Sequence, residues 1–248
     1  MKLHILGSSS SGNCYLLRSE TTGEVLVLEA GVRFDKVKRA LDFNLMSVVG
    51  CCITHEHGDH ARYVRKFIEA KIPLAMSLGT AQALDVTGFT MVQTLQPQEP
   101  TKFGDFKVMA FSVQHDAAEP FGYIIRHPEC GTILFATDTY YLKYKFPGLS
   151  NILIECNYRL DILDRNTAAD SINWKRRNRT IKSHMSYDTC LETLQANDLS
   201  AVNNIVLIHL SSDNSHADEF VNGIHTATGK NTIAAARDMA LPFNKTPY

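Results

Sequence analysis

The sequence predicts mixed β-sheets with helices packed on their outer faces, gathered into one domain over residues 1–248. Three observations carry this. Short apolar or β-branched runs bounded by Gly, Ser, Thr or Glu recur along the whole chain. Helical patterns are inserted between them at intervals rather than after every strand, which favours an α+β or mixed α/β arrangement over a doubly wound parallel sheet. No linker, low-complexity stretch or short-period repeat breaks the pattern.

The first strands are read at residues 3–6, 15–18, 25–29 and 48–53. Between the last two, residues 34–43 place Phe34, Val37 and Leu41 on one helical face. A second helix is expected from Asp59, a carboxylate suited to capping, to Ala70 ahead of Pro73. Strands follow at 106–113, 123–126, 132–136, 151–154 and 204–208. Two more helices complete the pattern. Residues 186–197 carry Leu191 and Leu194, and residues 215–227 open with a Ser-x-x-Asp box and bury Phe220, Val221 and Ile224.

A hydrophobic content of 44% over 248 residues supports a sizeable core. With 25 basic and 26 acidic residues, no global field draws the protein to nucleic acid or membrane, so a charged partner needs a local patch. No run approaches the roughly 20 apolar residues of a membrane span. The apolar run at residues 1–7 is too short for a signal peptide and lacks a small-residue cleavage site. The expectation is a soluble, cytoplasmic protein with no membrane partner. None of the six cysteines forms a CxxC pair, and Cys51 and Cys52 sit in an apolar run, as small buried hydrophobes do.

The informative segment is Thr54-His55-Glu56-His57-Gly58-Asp59-His60, directly after a strand and at the start of a helix. Imidazole and carboxylate are ligands for zinc, iron and manganese. Alternate side chains of an extended stretch point the same way, so His55 and His57 can reach one ion together. A turn at Gly58 then lets Asp59 and His60 face a second. Further metal-binding side chains stand where apolar strands terminate: His115, Asp138 and His209. The cluster is expected to hold two divalent metal ions, zinc foremost, with manganese or iron as alternatives.

This order, HxHxDH followed by His, Asp and His, resembles the metallo-β-lactamase superfamily over essentially the whole chain. The resemblance implies a four-layer αββα sandwich. It implies a first metal on His55, His57 and His115, a second on Asp59, His60 and His209, and Asp138 bridging them. Residues 7–13, His115-Asp116-Ala117-Ala118-Glu119-Pro120, Lys175-Arg176-Arg177 ahead of Ser183-His184-Met185-Ser186, and residues 209–214 look like the YycJ/WalJ-like branch. That branch is similar to the RNase Z and PhnP phosphodiesterases, which implies phosphodiester or nucleic-acid hydrolysis. One position departs. The superfamily's first motif reads Asp-x-Gly, whereas this chain has Glu29-Ala30-Gly31. Glu29 is one methylene longer and is expected to orient a ligand histidine.

Two metals about 3.5–4 Å apart bind a water between them and lower its pKa from about 15.7 towards neutrality. The resemblance thus implies a metal-bridging hydroxide, with Asp59 beside it to accept a proton. His184 is read as the acid that protonates the leaving group, matching a histidine in related phosphodiesterases; its alternative is a backbone-bonded histidine where a helix begins. Lys175, Arg176, Arg177, Arg179 and Lys182 either contact a phosphate backbone or form a solvated face. Trp174 either stacks on a base or packs, and packing is the expectation. Asp116 is read as supporting the ligands, and Glu119 as structural. The functional expectation is a two-metal phosphodiesterase or nuclease acting on nucleic acid or a small phosphodiester. The alternatives are a thioester, lactone or β-lactam hydrolase, or a non-catalytic metal-binding scaffold.

Overall fold

The computed structural model describes residues 1–169 and 171–247. The first sheet contains β1 (Lys2–Gly7), β2 (Cys14–Arg18), β3 (Val25–Leu28), β4 (Val48–Cys52), β5 (Leu74–Met76) and β6 (Val92–Thr94) in chain order. The second contains β7 (Pro100–Phe103), β8 (Phe106–Ser112), β9 (Phe121–His127), β10 (Gly131–Ala136), β11 (Asn151–Glu155), β12 (Asn204–Ile208) and β13 (Asn231–Ala234). A final strand, β14 (Met239–Pro242), crosses back to pair antiparallel with β1. Each sheet is antiparallel on one side and parallel on the other. The change falls at β3 in the first sheet and at β10 in the second.

Alternation of buried and exposed side chains decides which faces meet. Leu3, Ile5, Tyr15 and Leu17 from the first sheet pack against Phe106, Phe121, Tyr123 and Phe135 from the second, forming the central core. On the outside of the first sheet lie α1 (Phe34–Ala40), α3 (Val64–Glu69) and α4 (Leu78–Ala83), burying Val37, Phe67 and Ala81 against Leu16, Val27 and Cys51. On the outside of the second lie α7 (Tyr187–Gln195) and α8 (Ala217–Thr228), whose Leu194, Phe220 and Ile224 cover Leu134, Ile152 and Leu207. Each Val, Leu, Ile or Phe among them contributes about 1.5–3 kcal/mol by leaving water. The layers are αββα, as the resemblance implied. A helical pair, α5 (Leu160–Ala168) and α6 (Trp174–Ser183), shares a small cluster of Tyr158, Leu163, Ile172 and Ile181.

The expected helix over residues 59–70 is interrupted. It divides into α2 (Gly58–Ala61) and α3. The cause is a competition for carbonyls. The Asp59 carbonyl accepts from Asn13 N–H at 2.7 Å and that of His60 from Ala30 N–H at 2.7 Å, so neither serves the next turn. Tyr63 N–H turns instead to the Ala30 carbonyl. The approach is so close that a Cβ on Gly31 would lie 1.7 Å from the Asp59 carbonyl oxygen, which restricts this position to glycine. Two expected caps also differ. Asp59 does not cap its helix, whose N-cap is His57 with no side-chain bond. The Ser215 box is not made either: His216 is the N-cap of α8, and Ser215 Oγ donates to the Ser211 carbonyl.

Among the described residues, no helix is long and apolar enough to cross a membrane. All six cysteines are free and buried, Cys51 and Cys52 among them. Burial pushes the Cys130 thiol up to about 12.

Candidate metal centre

The parallel strands of both sheets end on one side of the molecule, where α/β sheets present side chains to a cleft. The chain leaving β4 delivers His55, His57, Asp59 and His60. β8, β10 and β12 lead to His115, Asp138 and His209. Glu29, Asp138 and His209 all take left-handed backbone, with φ of 69°, 47° and 54°. For non-glycine residues this conformation costs on the order of 1–3 kcal/mol, and it persists where surrounding contacts hold it. Here it turns three carboxylate or imidazole side chains inward immediately beyond their strands.

Three sets of potential donor atoms result, those of each set lying within 4.8 Å of one another: His55, His57 and His115; Asp59, His60, Asp138 and His209; and Asp138, Glu155, His184 and His209. Asp138 Oδ2 lies 2.9 Å from His60 Nε2 and 3.4 Å from His55 Nε2, so it touches the first two sets. His57 Nδ1 and His115 Nε2 face each other at 3.1 Å. His55 Nε2 is buried with no hydrogen-bond partner. An orphaned buried acceptor costs about 1–3 kcal/mol unless something fills its lone pair. A cation does so. Burial also lowers the pKa of His55 and His115, keeping each in the neutral form that ligates metal. This donor set, imidazole nitrogens with carboxylate oxygens, fits divalent transition ions.

The outer nitrogens are held in place one by one. His55 Nδ1 meets Thr54 Oγ1 at 2.9 Å, and His115 Nδ1 donates to the Ser183 carbonyl at 2.8 Å. His60 Nδ1 faces Glu29 Oε1 at 3.4 Å. The longer side chain faces the histidine without a hydrogen bond, both atoms being buried and unpartnered, while its Oε2 accepts from Thr54 N–H at 3.3 Å. Burial opposes charge on His60, but Asp138 and Glu29 outweigh it and raise the pKa. The loop at residues 8–13 braces the cluster: Ser8 Oγ accepts from His209 N–H at 2.9 Å, and Asn13 Nδ2 reaches His60 Nε2 at 3.1 Å.

Sequence reasoning missed Glu155, the fully buried last residue of β11. Its Oε1 meets His184 Nδ1 at 2.7 Å and His209 Nδ1 at 3.1 Å; its Oε2 accepts from the Thr139 and Met185 amides. The signal was present, since an acid directly after the apolar run Ile152-Leu153-Ile154 obeys the rule that located Asp138. Burial opposes a charged His184, and the Glu155 carboxylate overcomes it, so the imidazole pKa is raised. His184 and His209 stack at 5.4 Å between centroids with rings 18° apart.

A cavity of about 320 Å³ opens over the cluster and includes His57, Asp59, His115, Asp138, His184 and His209 in its lining. The basic run divides by helical face. Arg176, Arg179 and Thr180, at helical spacing on α6, line the cavity. Arg179 Nε also donates to Asp116 Oδ2 at 2.9 Å, and Asp116 Oδ1 lies 3.4 Å from His115 Nε2. Arg177 turns away to Asp164 at 2.7 Å, while Lys175 and Lys182 are exposed and do not line the cavity. Trp174 is 66% exposed rather than packed, with Arg177 5.2 Å from its ring. Glu119 accepts from the Gly79 amide at 2.7 Å, bracing the start of α4.

A sequence profile described as a beta-lactamase superfamily domain matches residues 34–210. The exodeoxyribonuclease YycJ of Bacillus anthracis is 28% identical over 233 residues, spanning 87% of this chain and 85% of that protein. Among solved structures, the metallo-beta-lactamase fold protein YhfI from Bacillus subtilis superposes with a TM-score of 0.74 at 14% identity, covering 97% of this chain and 98% of that one. Human tRNase Z, short form, superposes at 0.61 and 14% identity, with coverages of 97% and 98%. At these identities the two structures share the fold.

Proposed function

This chain belongs to the beta-lactamase superfamily and is a metal-dependent hydrolase; on that premise we propose that it cleaves phosphodiester bonds, in nucleic acid or a small diester, using two divalent ions. We assign the activity to a single cytoplasmic domain over residues 1–248. The relative named as an exodeoxyribonuclease supports the substrate class. The observation that carries the reading is His184: its Nδ1 is bonded to buried Glu155 at 2.7 Å, in a cavity that also holds Arg176 and Arg179 beside the donor cluster.

In this reading His55, His57 and His115 would hold one ion and Asp59, His60 and His209 the other, with Asp138 available to both. The ions, zinc foremost, with manganese and iron as the alternatives, would supply Lewis acidity towards phosphoryl oxygens and lower the pKa of water. The protein's own side chains do the rest. Glu155 anchors one ring nitrogen of His184 and favours its protonated form, leaving Nε2 to give a proton to the departing oxygen. Asp59, about one-fifth exposed at the cavity, takes up the proton shed by the attacking water. Arg176 and Arg179 bind phosphate oxygens.

The purified protein is expected to carry about two metals per chain and to hydrolyse bis-p-nitrophenyl phosphate faster than a thioester, lactone or β-lactam. Metal analysis and initial rates check this. Faster thioester or lactone turnover would transfer the site to that chemistry, and metal binding without turnover of any of them would make it a scaffold.

A further inference from the structure

Beyond Asp138 the chain runs without helix or strand as Thr139-Tyr140-Tyr141-Leu142-Lys143-Tyr144-Lys145-Phe146. Its first residues are knitted to the donor-bearing turns. Thr139 N–H donates to Glu155 Oε2 at 3.0 Å, Gln114 N–H to Thr139 Oγ1 at 3.0 Å, and Tyr140 N–H to the Gln114 carbonyl at 3.2 Å. Thr139 Oγ1 in turn donates to the Tyr141 carbonyl at 2.8 Å. Further along, Leu142 and Phe146 are buried in the helix-side core of the second sheet, and Phe146 N–H donates to Asn197 Oδ1. The backbone is thus fixed at both ends.

This strap shows aromatic rings and cations to solvent. Tyr140 and Tyr141 are 42% and 51% exposed, and Lys143 and Lys145 are exposed. Neither lysine has a carboxylate partner among the described residues, and no acidic residue occurs between Asp138 and Glu155. Lys143 Nζ lies 5.1 Å from the Tyr144 ring. Flat aromatic faces held open on an anchored backbone, interleaved with unpaired cations, match the two needs of a single-stranded polynucleotide: base stacking and phosphate neutralisation. Paired bases would not offer their faces. Arg176 and Arg179, assigned to phosphate oxygens, line the cavity that also holds Asp138, the residue directly before the strap.

We infer that residues 139–146 form a track for single-stranded nucleic acid leading to the metal cluster, with Tyr140 and Tyr141 stacking on bases and Lys143 and Lys145 meeting phosphates. The inference rests on the phosphodiesterase reading and adds a substrate class and a direction of approach to it.

Fluorescence anisotropy with a labelled single-stranded dT oligonucleotide, and with an abasic backbone of equal length, tests the track over a salt series. The variants are Tyr140→Ala/Tyr141→Ala, Tyr140→Phe/Tyr141→Phe and Lys143→Ala/Lys145→Ala. The alanine pair at the tyrosines should weaken dT binding by at least about tenfold, from stacking energies of about 1–3 kcal/mol per base. It should leave abasic binding unchanged, and the phenylalanine pair should restore dT binding. The lysine variant should flatten the salt dependence by about 1.4 in log–log slope, at about 0.7 per charge. Bis-p-nitrophenyl phosphate turnover should be unchanged in all variants. Equal losses on dT and abasic strands, no loss in any variant, or no strand binding by the wild type would overturn the track. Absence of diester turnover in the wild type would instead remove the phosphodiesterase reading, while the binding measurements still judge the track.

Discussion

The two donor sets that meet at Asp138 are supported by different chemistry. In one, His209 is hydrogen-bonded to a buried carboxylate, Glu155, and His60 faces another, Glu29, at 3.4 Å. In the other, His55 and His115 are backed by neutral oxygens, the Thr54 hydroxyl and the Ser183 carbonyl. A carboxylate behind an imidazole makes it a more basic ligand and fixes its tautomer more firmly. The set with Asp59, His60 and His209 is also the more buried. It should bind its ion more tightly and fill first, while the histidine-only set exchanges faster. Glu155 complicates the contrast, because the same oxygen that backs His209 also holds His184. In the proposed reading, support of a ligand and control of a proton are thereby tied together through one oxygen.

The largest effect separates those two roles. His184→Ala should lower diester turnover by about 10²–10⁴-fold, the range for a lost general acid, with metal content unchanged. Rates on metal-analysed protein check it, and an undiminished rate would remove His184 from the reaction. Next, Glu155→Gln should weaken metal binding to the Asp59, His60 and His209 set by about 10–100-fold and spare the other. Competition with a chelator reads this; equal weakening of both sets would break the contrast. The smallest effect is expected for Glu29→Asp, which withdraws the carboxylate from His60 by one methylene. Less than about a tenfold loss at the same set is expected. A loss at the His55 set instead would show that Glu29 acts through Thr54.

Much of this was legible from the residues. Strands ending in ligand-type side chains located His115, Asp138 and His209: β12 is a parallel strand buried on nearly its whole length and reads as a continuous apolar run, whereas β8, paired antiparallel, was legible from its alternation. Glu155 stands directly beyond the expected strand 151–154, as His209 does beyond 204–208, so the same rule reaches it and nothing physical hides it. Five strands went unread: β5, β6, β7, β13 and β14 have only three or four residues each, too few for a period to emerge. The helix α6 was seen as a charge run because its exposed faces are polar. Only the fold shows that Arg176 and Arg179 share a face that Arg177 does not. The break between α2 and α3 was invisible for another reason. It depends on Asn13 and Ala30, distant in sequence, taking carbonyls that the helix would otherwise use.

The return of β14 to the first sheet has a kinetic meaning. It pairs Lys2 with Pro242 and Ile5 with Met239, positions separated by nearly the whole chain. Contacts of such separation come late, because the entropy of closing the loop must be met before the pairing gains anything. During synthesis β1 therefore presents an open edge while the second sheet is still being made. Open edges recruit foreign strands, and a charged side chain on the edge discourages them. Lys2, exposed on β1, occupies that position. The nascent protein is guarded there against mispairing until its own late strand arrives.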